Sequence, residues 1–334
     1  MPDKTPLAGK INIFTPQTYQ VIQRSGATGD IIITGIFNQA GSHDVEASFN
    51  GGAYATIASG VASGAEFSGT LTGQAEGQGT LTVRLVDTPA VAATVDYVGI
   101  GDIFVIAGQS NAMGYGTNNQ VYAGALAAAV FGNDYDWRDC VDPVDRNTLQ
   151  KDAVSDDGAV PAGSVWPLLA TLIMADQSVP VAFVPCAKGA TGITAWQPGA
   201  DHQDRTTLYG SMAYRALQTG CKAVLYWGYV TDAAAAMNQA TFNAYLDAFA
   251  NAVQADLGVT VMPCQMQNCA GIADVQEAAI RAACVEAWGD NANVEAGPDL
   301  SGLASDDNYH LMTDAKLSAA ADLWWAALDA ALYT

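Results

Sequence analysis

Along residues 10–97, hydrophobic positions gather in short β-rich runs, at 11–14, 19–22, 30–37, 44–49, 66–71 and 80–86, with apolar–polar alternation in places. The alternation is clearest in Thr80-Leu81-Thr82-Val83-Arg84-Leu85-Val86, which has the period of a strand with one buried face. Asn50-Gly51-Gly52 is a hairpin signal. Nothing in this stretch has helical period. Six or seven such strands predict an all-β sandwich. It should end near Tyr97-Val98-Gly99-Ile100-Gly101 with little linker, which divides the chain into an accessory β domain, 1–98, and a second domain, 99–334.

From residue 102 the pattern changes. Apolar β-rich runs at 103–107, 179–185, 223–227, 259–265 and 293–296 alternate with stretches of helical spacing at 164–175, 238–257, 274–288 and 313–332. In 238–257, Phe242, Tyr245, Leu246 and Phe249 share one side; Thr313 suits an N-cap, with Asp314 in the first turn. Repeating β–α units predict an α/β fold with a parallel sheet covered on both faces. A site in such a sheet lies beyond the carboxyl ends of the strands. Ser110, Gly189 and the segment after Trp227 all fall at such ends. No repeat stands out, although residues 233–236 are four alanines.

The first of these strand ends carries the clearest chemistry. Asp102-Ile103-Phe104-Val105-Ile106-Ala107 runs into Gly108-Gln109-Ser110-Asn111-Ala112-Met113-Gly114, a Gly-bounded turn that can lift one hydroxyl off a sheet edge beside backbone N–H groups. Acyl transfer needs both a nucleophile and donors for the oxyanion. Near the other end, Asp307-Asn308-Tyr309-His310 offers an imidazole with a carboxylate three residues earlier. Ser110, His310 and Asp307 form a nucleophile–base–acid set, recognised by role rather than chain order. Asp306 is an alternative partner for the histidine, and the acidic loop also suits a plain turn. The other two histidines are His43, in the β region, and His202, in a polar loop that can border the cleft. The backbone N–H groups of Ser110 and Gly189 are the natural oxyanion pair, since glycine permits close approach.

Gly-Gln-Ser-Asn followed by Met, then Gly189-Ala190-Thr191-Gly192-Ile193-Thr194-Ala195-Trp196, then Asp-x-x-His, resembles the sialate O-acetylesterase-like branch of the SGNH hydrolases, which includes carbohydrate acetyl esterases such as acetylxylan esterases. The resemblance covers residues 100–332 or so and none of the first hundred. It implies a flavodoxin-like doubly wound parallel sheet and a serine esterase that removes O-acetyl groups from a carbohydrate without metal or organic cofactor. Gln109, Asn111 and Trp196 are expected at the substrate, Asn111 chiefly by holding the turn, and Trp196 and Gln197 as pocket walls. Trp166 and Trp288 read as core. In the family a third oxyanion donor is a Gln in a Trp-x-Gln-Gly-Glu-Ser-Asp-like segment. Here that segment reads Trp227-Gly228-Tyr229-Val230-Thr231-Asp232, so Gly228 stands in place of the Gln and Val230 in place of the Glu.

Composition limits the partners. Half of the 334 residues are hydrophobic, and the net charge is −21. Such a surface repels nucleic acid and anionic lipid. No run approaches the length of a membrane span, and Met1-Pro2-Asp3-Lys4-Thr5-Pro6 lacks the apolar core of a secretory signal. That leaves a cytoplasmic, particle-borne or leader-processed protein. Cys186 and Cys221 read as buried thiols, while Cys264 and Cys269 could pair with each other or with Cys284. No ligand spacing points to zinc. Two rival readings stay open: a glycan-binding or particle-structural protein on an esterase fold, and an esterase for non-sugar acyl esters. The β domain reads either as a carbohydrate-binding or substrate-positioning module or as a structural one.

Overall fold

A computed structural model describes residues 6–146, 148–155 and 162–333; the stretch 1–5, part of the segment read for a secretory signal, lies outside the described residues. The chain divides into two compact units, 1–102 with 178–180, and 103–177 with 181–334.

The first unit is built of strands β1 (Lys10–Thr15), β2 (Val21–Gln23), β3 (Thr28–Asn38), β4 (Ser42–Phe49), β5 (Ala55–Ala62), β6 (Glu66–Ala75), β7 (Gly77–Leu85) and the start of β8 (Ala92–Gly108). One sheet has the order β1-β3-β6. In the other, β2 lies beside β8, followed by β7, β4 and β5. The alternation read from the sequence decides which side chains go inward. Ile31, Ile33, Phe67 and Leu71 from one sheet and Val45, Ala47, Leu81, Val83 and Val95 from the other share one buried cluster. Asn50 and Gly51 take left-handed backbone at the centre of a turn closed by the Gly52 N–H on the Phe49 carbonyl, the start of the β4–β5 connection. β5 was not legible in the pattern: Ala55-Thr56-Ile57-Ala58-Ser59-Gly60-Val61-Ala62 is small and largely exposed, at the end of its sheet.

In the second unit, the end of β8 sits between β11 (Val181–Pro185) and β12 (Ala223–Trp227), with β13 (Thr260–Pro263) beyond β12, and β9 (Ala129–Phe131) and β10 (Trp137–Asp139) beyond β11. β8, β12 and β13 run parallel, as do β9 and β11, and β10 is antiparallel. Every residue of β11 and β12 is buried, which accounts for continuous apolar runs in place of alternation. The strand expected at 293–296 reduces to an isolated parallel bridge between Val261 and Val294.

The helices are α1 (Ser110–Met113), α2 (Trp166–Gln177), α3 (Leu208–Thr219), α4 (Val230–Ala234), α5 (Gln239–Leu257), α6 (Asp274–Asp290) and α7 (Asp314–Leu332). α2 packs on α7, and α5 on α3 and α6. α5 buries Phe242, Leu246, Phe249 and Val253, one stripe at helical spacing. Asn238 caps it by accepting the Thr241 N–H, and Gly258 closes it in left-handed backbone. Thr313 occupies the N-cap of α7, but its side chain makes no cap bond. Among the described residues no helix is long and apolar enough to cross a membrane. All six cysteines are free thiols, so none of the pairings considered among Cys264, Cys269 and Cys284 is formed.

Candidate active site

Three adjacent strand ends converge. β8 ends at Gly108, where left-handed backbone (φ 119°) and close contact leave no room for a side chain: a Cβ there would lie 2.2 Å from the Trp227 carbonyl oxygen. The chain turns at once into the single turn α1, and Ser110 is its first residue. β11 leads to Gly189, and β12 leads through Gly228 into α4.

Ser110 Oγ lies 2.9 Å from His310 Nε2, and His310 Nδ1 lies 2.9 Å from Asp307 Oδ2. The other Asp307 oxygen accepts the backbone N–H groups of Tyr309 and His310, at 2.6 and 2.7 Å. Burial pushes the Asp307 carboxyl up, but its bonds from His310 and these N–H groups outweigh that and hold it below the usual carboxylate range. Asp306 is engaged elsewhere. It accepts the N–H groups of Met312 and Thr313 and pairs with Lys316 at 2.6 Å. Burial raises its carboxyl, and Lys316 and the N–H groups more than offset this, bringing it to about 2.

Asn111 holds this arrangement together. Its Oδ1 accepts the Leu311 N–H at 3.1 Å, and its Nδ2 donates to the Tyr309 carbonyl at 3.2 Å. The two neighbours of His310 are thus tied to the residue after Ser110. Gln267 adds a second tie that sequence reasoning missed: fully buried, it donates to the same Tyr309 carbonyl at 2.7 Å and accepts from Trp227 Nε1. Tyr115, also missed, stacks on the His310 ring with centroids 4.4 Å apart and planes 11° apart. No spacing signal in the sequence marks either residue.

Ser110 and His310 open on a cavity of about 490 Å³, lined also by Gln109, Met113, Tyr115, Gly189, Ala190, Val230, Thr231, Ala234 and Tyr309. Gln109 is buried, and its Oε1 accepts the Thr231 N–H at 3.2 Å. Trp196 does not reach this space. It is fully buried, packed edge-on against Tyr226 and Phe249, and its Nε1 donates to Thr191 Oγ1. The 3-10 turn Ile193–Trp196 turns the ring inward, so Trp196 braces the loop after Gly189. Gln197 donates to the carbonyls of Ile193 and Tyr245. Trp166 is buried and donates to the Ala112 carbonyl, while Trp288 is half-buried. His43 pairs with Asp87 and His202 with Asp256; neither lines the cavity.

Asp232 anchors the Gly189 loop from α4. Its carboxylate accepts the Ile193 N–H at 3.0 and 3.1 Å, and a Cβ on Gly192 would meet it at 2.5 Å. Burial raises the Asp232 carboxyl to about 6, only partly relieved by the Ile193 N–H. Gly228 lies against Tyr226, whose hydroxyl would be 2.6 Å from a Cβ at 228. Among the described residues no group of three or more His, Cys, Asp or Glu could hold a metal.

A family model for carbohydrate esterases, described as sialic acid-specific acetylesterase, matches residues 100–328. No curated protein matches the sequence. Two similar solved structures share the fold. A carbohydrate acetylesterase from Xanthomonas citri is 16% identical with a TM-score of 0.58, over 95% of this chain and 74% of that one. A protein from Arabidopsis thaliana is 21% identical with a TM-score of 0.54, over 68% of this chain and 98% of that one.

Proposed function

The chain belongs to the sialic acid-specific acetylesterase family of carbohydrate esterases and is a carboxylic ester hydrolase, and on that premise we propose that it removes O-acetyl groups from a carbohydrate through Ser110, His310 and Asp307. The reading rests on one observation above all: an unbroken hydrogen-bonded line from Ser110 Oγ through the His310 ring to Asp307, opening on a cavity. We read the second unit as an SGNH-type, flavodoxin-like doubly wound domain, 99–334, and the first, 1–98, as a β-sandwich.

In the reaction, His310 Nε2 takes the proton from Ser110 Oγ as the oxygen attacks the acetyl carbonyl. Asp307 fixes the ring orientation and stabilises the imidazolium. The backbone N–H groups of Ser110 and Gly189 stabilise the oxyanion. His310 returns the proton to the departing sugar hydroxyl. Water, deprotonated by the same ring, then cleaves the acetyl-serine to release acetate. Gln109, held through its Oε1 by the Thr231 N–H, forms part of the cavity wall, and the stacked Tyr115 keeps the His310 ring facing Ser110. Asn111 acts by position, through the segment that carries His310. No step calls for a metal or organic cofactor.

The test is hydrolysis of p-nitrophenyl acetate, then acetate release from acetylated xylan and from O-acetylated sialic acid. Ser110→Ala and His310→Ala should each lower kcat/KM by more than about 1,000-fold, and the double variant little further, because the residues act as a unit. Melting temperatures should stay close to the parent's. A Ser110→Ala protein that keeps a few per cent of the parent rate would remove Ser110 from the chemistry.

A further inference from the structure

Two tyrosines of the first unit stand where the backbone calls for glycine. Tyr19 is the third residue of a turn closed by the Gln20 N–H on the Gln17 carbonyl, and its φ is 68°. Tyr97, with φ 57°, sits in a bulge. Gly79 pairs with Val98 and Leu81 with Val95, so Asp96 and Tyr97 together face Thr80. Both positions hold left-handed backbone, which glycine adopts without strain and a bulky residue does not. A bulge also re-aims a side chain. Here the two devices bring the rings face to face, centroids 4.9 Å apart and planes 3° apart.

Core packing does not account for the pair. Tyr97 is 48% exposed, and neither ring belongs to the buried cluster between the sheets. The surroundings are polar. Tyr97 forms one wall of a cavity of about 330 Å³ with Gln78, Gly79, Thr80 and Asp96. Next to Tyr19 in the chain, Gln17 and Thr18 line a second cavity, of about 410 Å³, with Asn12 and Thr94. Strained backbone that presents side chains to solvent persists where function selects it.

We propose that the Tyr19–Tyr97 stack is a saccharide-binding platform. The class of ligand rests on the carbohydrate reading of the enzyme; the platform itself rests on the geometry. A pyranose has a face of C–H groups that lies on an aromatic ring and a rim of hydroxyls that needs amide, hydroxyl and carboxylate partners. Tyr97 supplies the first, and Gln78, Thr80 and Asp96 the second. Thr80 Oγ1 donates to Asp96 Oδ1 at 2.8 Å, which holds both groups at the cavity wall beside Tyr97. The platform would hold the polymer to the chain while single acetyl esters are cleaved elsewhere.

The test is affinity electrophoresis of the full chain in gels containing acetylated xylan, deacetylated xylan or hydroxyethyl cellulose, with a Ser110→Ala background for the acetylated polymer. The variants are Tyr97→Gly, Tyr19→Gly and Tyr97→Phe. The glycine variants suit the backbone, so their melting temperatures should equal or exceed the parent's. Binding should weaken at least about tenfold in both and survive in Tyr97→Phe, and p-nitrophenyl acetate turnover in chains that keep Ser110 should be unchanged throughout. Equal retardation of Tyr97→Gly and parent would overturn the proposal, as would a parent retarded by none of the three polymers. So would a marked fall in melting temperature in Tyr97→Gly, which would make the stack structural. Failure of p-nitrophenyl acetate hydrolysis in the parent would overturn the esterase reading alone, since retardation is scored independently of turnover.

Discussion

Asn111 illustrates how one amide can hold a candidate site together from beside it. It bonds the residues on both sides of His310. Asn111→Ala would leave the buried Leu311 N–H without its acceptor and the Tyr309 carbonyl with fewer donors. The expected cost is about 1–3 kcal/mol in stability. A fall in kcat of about tenfold or more, at nearly constant KM, should accompany it, because a small displacement of the base is felt only in the transition state. Denaturant unfolding and steady-state kinetics on p-nitrophenyl acetate check both, and an unchanged kcat would show the His310 segment to be held by other groups. Gly228 gives a second expectation at this scale. Restoring the family's glutamine there brings its Cβ within 2.6 Å of the buried Tyr226 hydroxyl, although the backbone is not left-handed. Gly228→Gln should therefore lose about 1–3 kcal/mol by overpacking and gain no activity. A faster enzyme of parental stability would contradict that. Ser110, His310 and Asp307, which the fold brings together, and Gly189, which lines the same cavity, stand out in the sequence because they sit in short local motifs. Trp196 was misassigned, and Tyr115 and Gln267 were missed, because the direction of a loop side chain depends on turns and neighbours far away in the chain.

At the scale of elements, the Gly189 loop is tied to α4 through one buried carboxylate. The folded value for Asp232 is about 6, above the unfolded reference of about 3.9. Between those limits the folded state binds the extra proton, so this group's contribution to stability declines as pH rises from about 4 through 6. Asn at 232 keeps an acceptor for the Ile193 N–H and carries no charge. Asp232→Asn should be more stable at pH 8, by up to about 3 kcal/mol, with the difference vanishing below pH 4. Melting curves across that range decide it; a gap independent of pH would mean that ionisation is not its source. Elements with a long apolar stripe or a fully buried run, such as α5, β11 and β12, could be read from the sequence. β9 and β10 are three residues each, too short for a period. α3 was hidden by Gly210, a residue that weakens a helical pattern; here the Asp204 carbonyl oxygen would lie 2.2 Å from a Cβ, so only glycine fits.

For the whole molecule, the sequence pattern separated a β-rich beginning from an α/β remainder, and the two compact units divide at residue 102, apart from the short segment 178–180. That segment precedes β11 and could not be assigned from periodicity, which carries no information about long-range partners. The six free thiols have a use of their own at this scale. Five are buried and Cys221 is partly so. Burial raises the Cys186, Cys221 and Cys284 thiols alike to about 12, so almost no thiolate is present near neutral pH and only exposure sets Cys221 apart. Alkylation by iodoacetamide in native buffer should modify Cys221 first, and slowly, and all six only on unfolding. Rapid labelling of Cys186 or Cys284 in the native state would contradict the packing. The chain thus contains a built-in chemical reporter, in which the step from one alkylated cysteine to six marks the unfolding of the second unit, with no dye or engineered probe.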